Sequence, residues 1–126
     1  MKPKRIEILG IPVDCVTMDE AVDWAESMIH GRQPCTVLAV NPEKIIRAQQ
    51  DRELLDQLRS ADLLIPDGIG VVLAARLLGL GHAERVPGSE LMPQLCERAA
   101  SKGYTVFLFG ASTAVNQQAV AVLRDR

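Results

Sequence analysis

Apolar residues recur along the chain in two spacings, and glycine, proline and capping residues punctuate them into elements. Short apolar runs at 6–9, 11–16, 36–40, 63–65 and 104–109 predict strands. Gly10 separates the first two, and Pro12 suits an edge position in the second. The run Leu63-Leu64-Ile65 has no polar alternation, as expected of a strand covered on both faces, and Pro66 should end it.

Between these runs the spacing becomes helical. Thr17-Met18-Asp19-Glu20 is a capping box, and Ala21, Val22, Ala25, Met28 and Ile29 form the apolar face behind it, closed by Gly31. Trp24 lies near that face and reads as packing. Asn41-Pro42 is a helix start, with Ile45 and Ile46 expected to face inward. Leu54, Leu55 and Leu58 line a further short helix after Asp51. The segment 71–78 is apolar nearly all round except Arg76 and is expected to be central and buried. The glycine- and proline-rich 79–88 reads as a loop, followed by a helix that Ser89 would cap. Pro93 is tolerable there only near the first turn; Leu91, Leu95 and Ala99 face inward, and Gly103 ends the helix. After the last strand, Gly110-Ala111-Ser112-Thr113 opens a final helix with Ala114, Val115, Ala119, Val122 and Leu123 apolar.

Strands alternating with helices predict an α/β fold, a layered Rossmann-like domain with a mostly parallel sheet flanked by helices. At 126 residues the chain suits one domain, 1–126. A doubly wound sheet would normally continue past the final helix, so the domain is expected to be incomplete at its carboxyl end.

Composition narrows the function classes. A net charge of -2 and 3% aromatic residues give neither a basic footprint nor stacking platforms, so no nucleic-acid partner is expected. Cys15, Cys35 and Cys96 match no zinc spacing and no disulfide framework, and read as buried reduced thiols. His30 and His82 lack partners at ligand spacing and read as surface residues. No Ser/His/Asp set, H-E-x-x-H or C-x-x-C occurs, so hydrolase and zinc-enzyme readings fall away. The amino terminus shows no signal peptide or spanning segment.

The remaining chemistry gathers at predicted strand ends. Asp67 follows the strand that stops at Pro66, where open α/β sheets place ligands. Gly68 and Gly70 would let another molecule approach the backbone. Asn41 and the Gly110 turn end two more strands, and Arg85 lies on the loop. A carboxylate, an amide and a guanidinium are enough for a simple transfer reaction. Each has a plainer alternative: Asp67 and Asn41 as helix caps, Arg85 as an exposed charge beside Glu84.

The motifs, in their order, resemble the WecG/TagA/CpsF family of bacterial glycosyltransferases. The matching pieces are Gly10-Ile11-Pro12-Val13, Val40-Asn41-Pro42-Glu43-Lys44, and Ala61-Asp62-Leu63-Leu64-Ile65-Pro66-Asp67-Gly68-Ile69-Gly70. Glu84-Arg85-Val86-Pro87-Gly88 and Val106-Phe107-Leu108-Phe109-Gly110 complete a set covering nearly all of the chain. The resemblance implies an inverting transferase that moves an N-acetylmannosamine-type sugar from a UDP-sugar donor. The acceptor it implies is a polyprenyl-diphosphate-linked N-acetylglucosamine at the cytoplasmic membrane face, in cell-surface polysaccharide or teichoic acid synthesis. It implies Asp67 as general base, with Asn41 and Arg85 as polar active-site residues. Gly68, Gly70, Gly88 and Gly110 are expected on the substrate side. No D-x-D motif occurs, and the resemblance demands no metal, so no metal or other cofactor is expected. Two departures stand out. Ala39 replaces a threonine frequent in the family, and family members run longer, often with a membrane-associating tail. Peripheral membrane association is therefore expected of a full-length form, and a homo-oligomer is open. The alternative is a non-catalytic nucleotide or sugar-phosphate binding module, or an inactive fragment of such an enzyme.

Overall fold

A computed structural model describes residues 3–80 and 83–125; His82 lies outside them. The chain divides into two compact units, 1–91 and 92–126. The elements are β1 (Lys4–Ile8), β2 (Ile11–Cys15), α1 (Met18–His30), β3 (Val37–Val40), α2 (Pro42–Ala48), α3 (Arg52–Ser60), β4 (Leu63–Pro66), α4 (Ile69–Leu77), α5 (Gly88–Lys102) and α6 (Thr113–Arg124). The architecture is mixed α/β. Its described strands form two pairs, antiparallel β1–β2 and parallel β3–β4, in place of one continuous ladder.

In the first unit β1 and β2 close through a two-residue turn, because Ile8 stands opposite Ile11. Leu9 and Gly10 both adopt positive φ, at 51° and 81°, as a type I′ turn requires. Leu9 is the unusual occupant, since a left-handed conformation strains a side chain with a Cβ. The turn is pinned from outside: Gln49 donates to the Leu9 carbonyl at 3.1 Å and Arg59 to the Gly10 carbonyl at 3.3 Å.

This register sets Arg5 opposite Asp14. Asp14 is only 1% exposed, a carboxylate inside an apolar shell, and burying such a charge is costly unless it is fully paired. Arg5 answers it with two hydrogen bonds, Nε to Oδ1 at 2.8 Å and Nη2 to Oδ2 at 2.9 Å. The main-chain N–H of Leu64 in β4 adds a third, to Oδ2 at 2.8 Å. That contact joins the hairpin to the parallel pair. The hydrogen bond to Asp14 raises the Arg5 pKa, as expected of a cation held by a buried anion.

Around this tie Ile6, Ile8, Ile11, Val13, Val40, Ile45, Leu58, Leu64 and Val71 pack as one core. Leu63, Leu64 and Ile65 are all buried, and β4 ends at Pro66 as its missing donor demands. The Thr17–Glu20 capping box, the Asn41 cap with Pro42 behind it, and the Asp51 cap are all formed.

Several expectations are corrected. Ile46 is 64% exposed while Ile45 is buried, because neighbours on a 3.6-residue period lie 100° apart and cannot share a face. Ile29 is likewise exposed at the end of α1. Helix α4 buries Val71, Val72 and Ala75 but leaves Ile69, Leu73 and Leu77 outward, so it is amphipathic by position and not central. Cys35 is exposed, whereas Cys15 is half-buried and burial pushes its thiol pKa up; all three cysteines are free.

The entry of α4 depends on Gly70. A Cβ there would lie 2.6 Å from Cγ of Pro42, so only glycine lets the first turns of α2 and α4 meet. The close approach is to a neighbouring proline ring.

In the second unit, residues 104–109 carry an apolar run but no strand, since no described strand forms a ladder with it and a strand needs a ladder partner. Phe107 and Phe109 are 84% and 94% exposed. Ser112 caps α6 by accepting the Val115 N–H at 3.3 Å. The Asn116 amide donates to the Leu108 and Gly110 carbonyls, both at 3.1 Å, and shapes the turn between them. No residue of α6 is fully buried.

Four stability outcomes are expected in urea unfolding. Arg5→Met strands the buried Asp14 carboxylate and should cost about 3–5 kcal/mol. Asp14→Asn leaves a half-exposed guanidinium that water can solvate and should cost less, about 1–3 kcal/mol. Leu9→Asn should stabilise by about 1 kcal/mol, because asparagine tolerates the left-handed turn position. Gly70→Ala gains about 1 kcal/mol of helix propensity but forces overlap with Pro42, so a net loss of about 1–2 kcal/mol is expected.

Candidate active site

The carboxyl ends of β3 and β4 bring two of the sequence candidates together. Val40 stands opposite Pro66, and the Asp67 N–H donates to the Val40 carbonyl at 2.8 Å. The parallel ladder therefore continues one bond beyond the strands and places Asn41 and Asp67 side by side at the sheet's edge.

Asp67 is half-buried. Its Oδ2 accepts the main-chain N–H of Gly88 at 3.3 Å, and no described residue is recorded bonding to Oδ1. Asp67 does not cap the helix that follows it: α4 has Gly68 at its N-cap, with φ 106° and no side-chain cap. The carboxylate instead meets the first residue of α5, a favourable place for negative charge. Ser89, expected to cap that helix, lies inside its first turn.

The loop leading to Gly88 returns across the end of β4. The Val86 N–H donates to the Pro66 carbonyl at 2.7 Å, and Ala83 and Val86 are buried. Arg85 lies between these anchors and is exposed. The Val86–Pro66 bond brings the neighbouring Arg85 to the end of β4, and no described hydrogen bond joins its side chain to Asp67.

Asn41 performs the capping role. Its Oδ1 accepts the Lys44 N–H at 2.8 Å, which leaves its Nδ2 hydrogens as the group able to donate to a ligand. Ala39, where the family frequently carries threonine, belongs to the same small space: a Cβ on Gly88 would lie 3.8 Å from Asp67 Oδ2 and 3.9 Å from Ala39 Cβ.

The glycines separate by role. Gly68 supplies a positive φ before α4, Gly70 yields space to Pro42, and Gly88 gives its N–H to Asp67. Gly110 lies in the second unit, with φ 115° and an exposed position. Lys44 was not singled out from the sequence as a site residue, yet its Nζ donates to the Ala39 carbonyl at 2.8 Å. Its place in an Asn-Pro-Glu-Lys helix start was the available signal.

Among the described residues no cluster of three or more His, Cys, Asp or Glu side chains could hold a metal ion. No described helix is long and apolar enough to cross a membrane.

Residues 6–126 match the glycosyl transferase WecG/TagA/CpsF family. The chain is 31% identical over 124 residues to a protein of Staphylococcus aureus strain MRSA252 named N-acetylglucosaminyldiphosphoundecaprenol N-acetyl-beta-D-mannosaminyltransferase. Proteins of the same name from strains NCTC 8325 / PS 47 and COL match equally, at 31% identity. In each case the match covers 97% of this chain and 49% of the relative, so the chain spans about half the length of the curated relatives it matches. With the family match extending over all but its first five residues, the chain belongs to the WecG/TagA/CpsF glycosyltransferase family.

Proposed function

We propose that the protein forms the catalytic part of an inverting glycosyltransferase. In this reading it transfers an N-acetylmannosamine-type sugar from a UDP-sugar to N-acetylglucosamine on a polyprenyl diphosphate. The observation that carries the reading is Asp67: a half-buried carboxylate at the end of β4, one oxygen fixed by a backbone N–H and the other unengaged by any described residue. The relatives' names support the choice of sugar and acceptor.

The chemistry follows from that placement. An acceptor hydroxyl attacks the anomeric carbon, the bond from that carbon to the diphosphate oxygen breaks, and the hydroxyl proton passes to Asp67. Gly88 orients the carboxylate so that Oδ1 takes the proton. The Asn41 amide donates to a sugar or phosphate oxygen, and the Arg85 guanidinium grips an anionic group through its planar fork. Gly68 and Gly88 complete the substrate side. The acceptor's lipid sets the place of work at the inner face of the cytoplasmic membrane, in the synthesis of cell-surface polymers.

Asp67→Asn, assayed in the full chain, tests the assignment. Turnover should fall by about 10²–10⁴-fold, the usual contribution of a positioned general base. UDP-sugar affinity, read by calorimetry, should stay within about twofold, because the substitution keeps size and polarity. Unchanged turnover would sink the base assignment, and a wild-type protein that binds UDP-sugar without turnover would favour a binding module.

A further inference from the structure

Among the described residues of the first unit, Lys44 is a cation whose side chain folds back onto the strand that leads to Asn41. Long lysine side chains ordinarily carry their ammonium out to water. Here the side chain is half-buried, and Nζ sits 2.8 Å from the carbonyl of Ala39, five residues earlier. Its backbone is fixed as well, by the bond from its N–H to Asn41 Oδ1.

The direction of that carbonyl decides what the ammonium can do. Along β3 the carbonyls of Thr36 and Val40 both accept from the β4 side, from Leu63 and Asp67. Successive carbonyls on a strand point to opposite edges, so the Ala39 carbonyl points away from β4. The Lys44 ammonium therefore lies at the edge of β3 away from β4, while Asp67 continues β4 at the other edge. Ala39 O engages one of the three ammonium hydrogens, and the other two are donated to no described residue.

Inverting transfer needs this division. The nucleophile enters on one face of the anomeric carbon while the leaving group departs from the other, so base and leaving-group stabiliser must stand apart with the sugar between them. We infer that Lys44 binds the departing diphosphate of the sugar nucleotide and carries the charge that develops as the bond from carbon to phosphate oxygen breaks. The electron pair of that bond goes to the diphosphate, whose oxygen faces the ammonium. The acceptor's proton goes to Asp67. This assignment rests on the transferase reading and names a residue that reading does not use.

Lys44→Gln keeps an N–H donor for the Ala39 carbonyl but removes the charge. It should lower turnover by about 10²-fold, as for loss of a donor to a developing anion, and weaken UDP binding by about tenfold or more. Lys44→Arg should recover most of both. Lower thermal stability with turnover and UDP affinity unchanged would reduce Lys44 to a backbone tie and overturn the inference. If Lys44→Gln does not fold, UDP protection of Lys44 against acetic anhydride in the wild-type protein reads the same contact, and absence of protection overturns it. Asp67→Asn keeps the two claims separate. Full activity in Asp67→Asn with weakened UDP binding in Lys44→Gln would sink the base and sustain the lysine. A wild-type protein that binds no UDP would sink both.

Discussion

The first unit depends on one buried carboxylate. Asp14 is affordable only because Arg5 and the Leu64 N–H saturate it, and those partners come from β1 and β4. Alternation along β4 explains why Leu64 is available. The N–H groups of Leu63 and Asp67 turn towards β3, so that of Leu64 turns to the opposite edge, where Asp14 takes it. One side chain thereby closes an edge that would otherwise present an unpaired donor, and locks the hairpin against the parallel pair. The position of β4 is fixed by this tie, and with it the point where Asp67 emerges.

Alternation also organises the candidate site. Two neighbouring carbonyls of β3, those of Ala39 and Val40, hold an ammonium and a peptide N–H on opposite edges. The loop 83–88 then returns over β4 and contributes Val86 and Gly88 as main-chain donors. Opposite charges are thus supported by backbone geometry, which is more rigid than a set of side chains holding one another.

Features decided by residues close in sequence were legible. The Thr17–Glu20 box, the Asn41-Pro42 start and the stop at Pro66 each depend on contacts within four positions. The helical pattern was less safe where adjacent apolar residues compete, as at Ile45 and Ile46. The run 104–109 had the composition of a strand, but strand formation depends on a partner that its own residues cannot specify. For the site, the sequence placed Asn41 and Asp67 at strand ends and the structure sets them together. It did not disclose that Gly88 would fix the acid, that Gly70 answers to Pro42, or that Lys44 would fold back. Those are contacts between elements. The Arg5–Asp14 pair was within reach, since a two-residue turn at Leu9-Gly10 dictates which positions face each other.

The bond from Gly88 to Asp67 has an evolutionary consequence. A peptide N–H belongs to every amino acid except proline, and the space beside Gly88 would admit a β-carbon at ordinary van der Waals distance. Drift in the side chain at 88 therefore leaves the acid's aim intact. The side chain at this position is free to change while the main chain goes on presenting the same carboxylate.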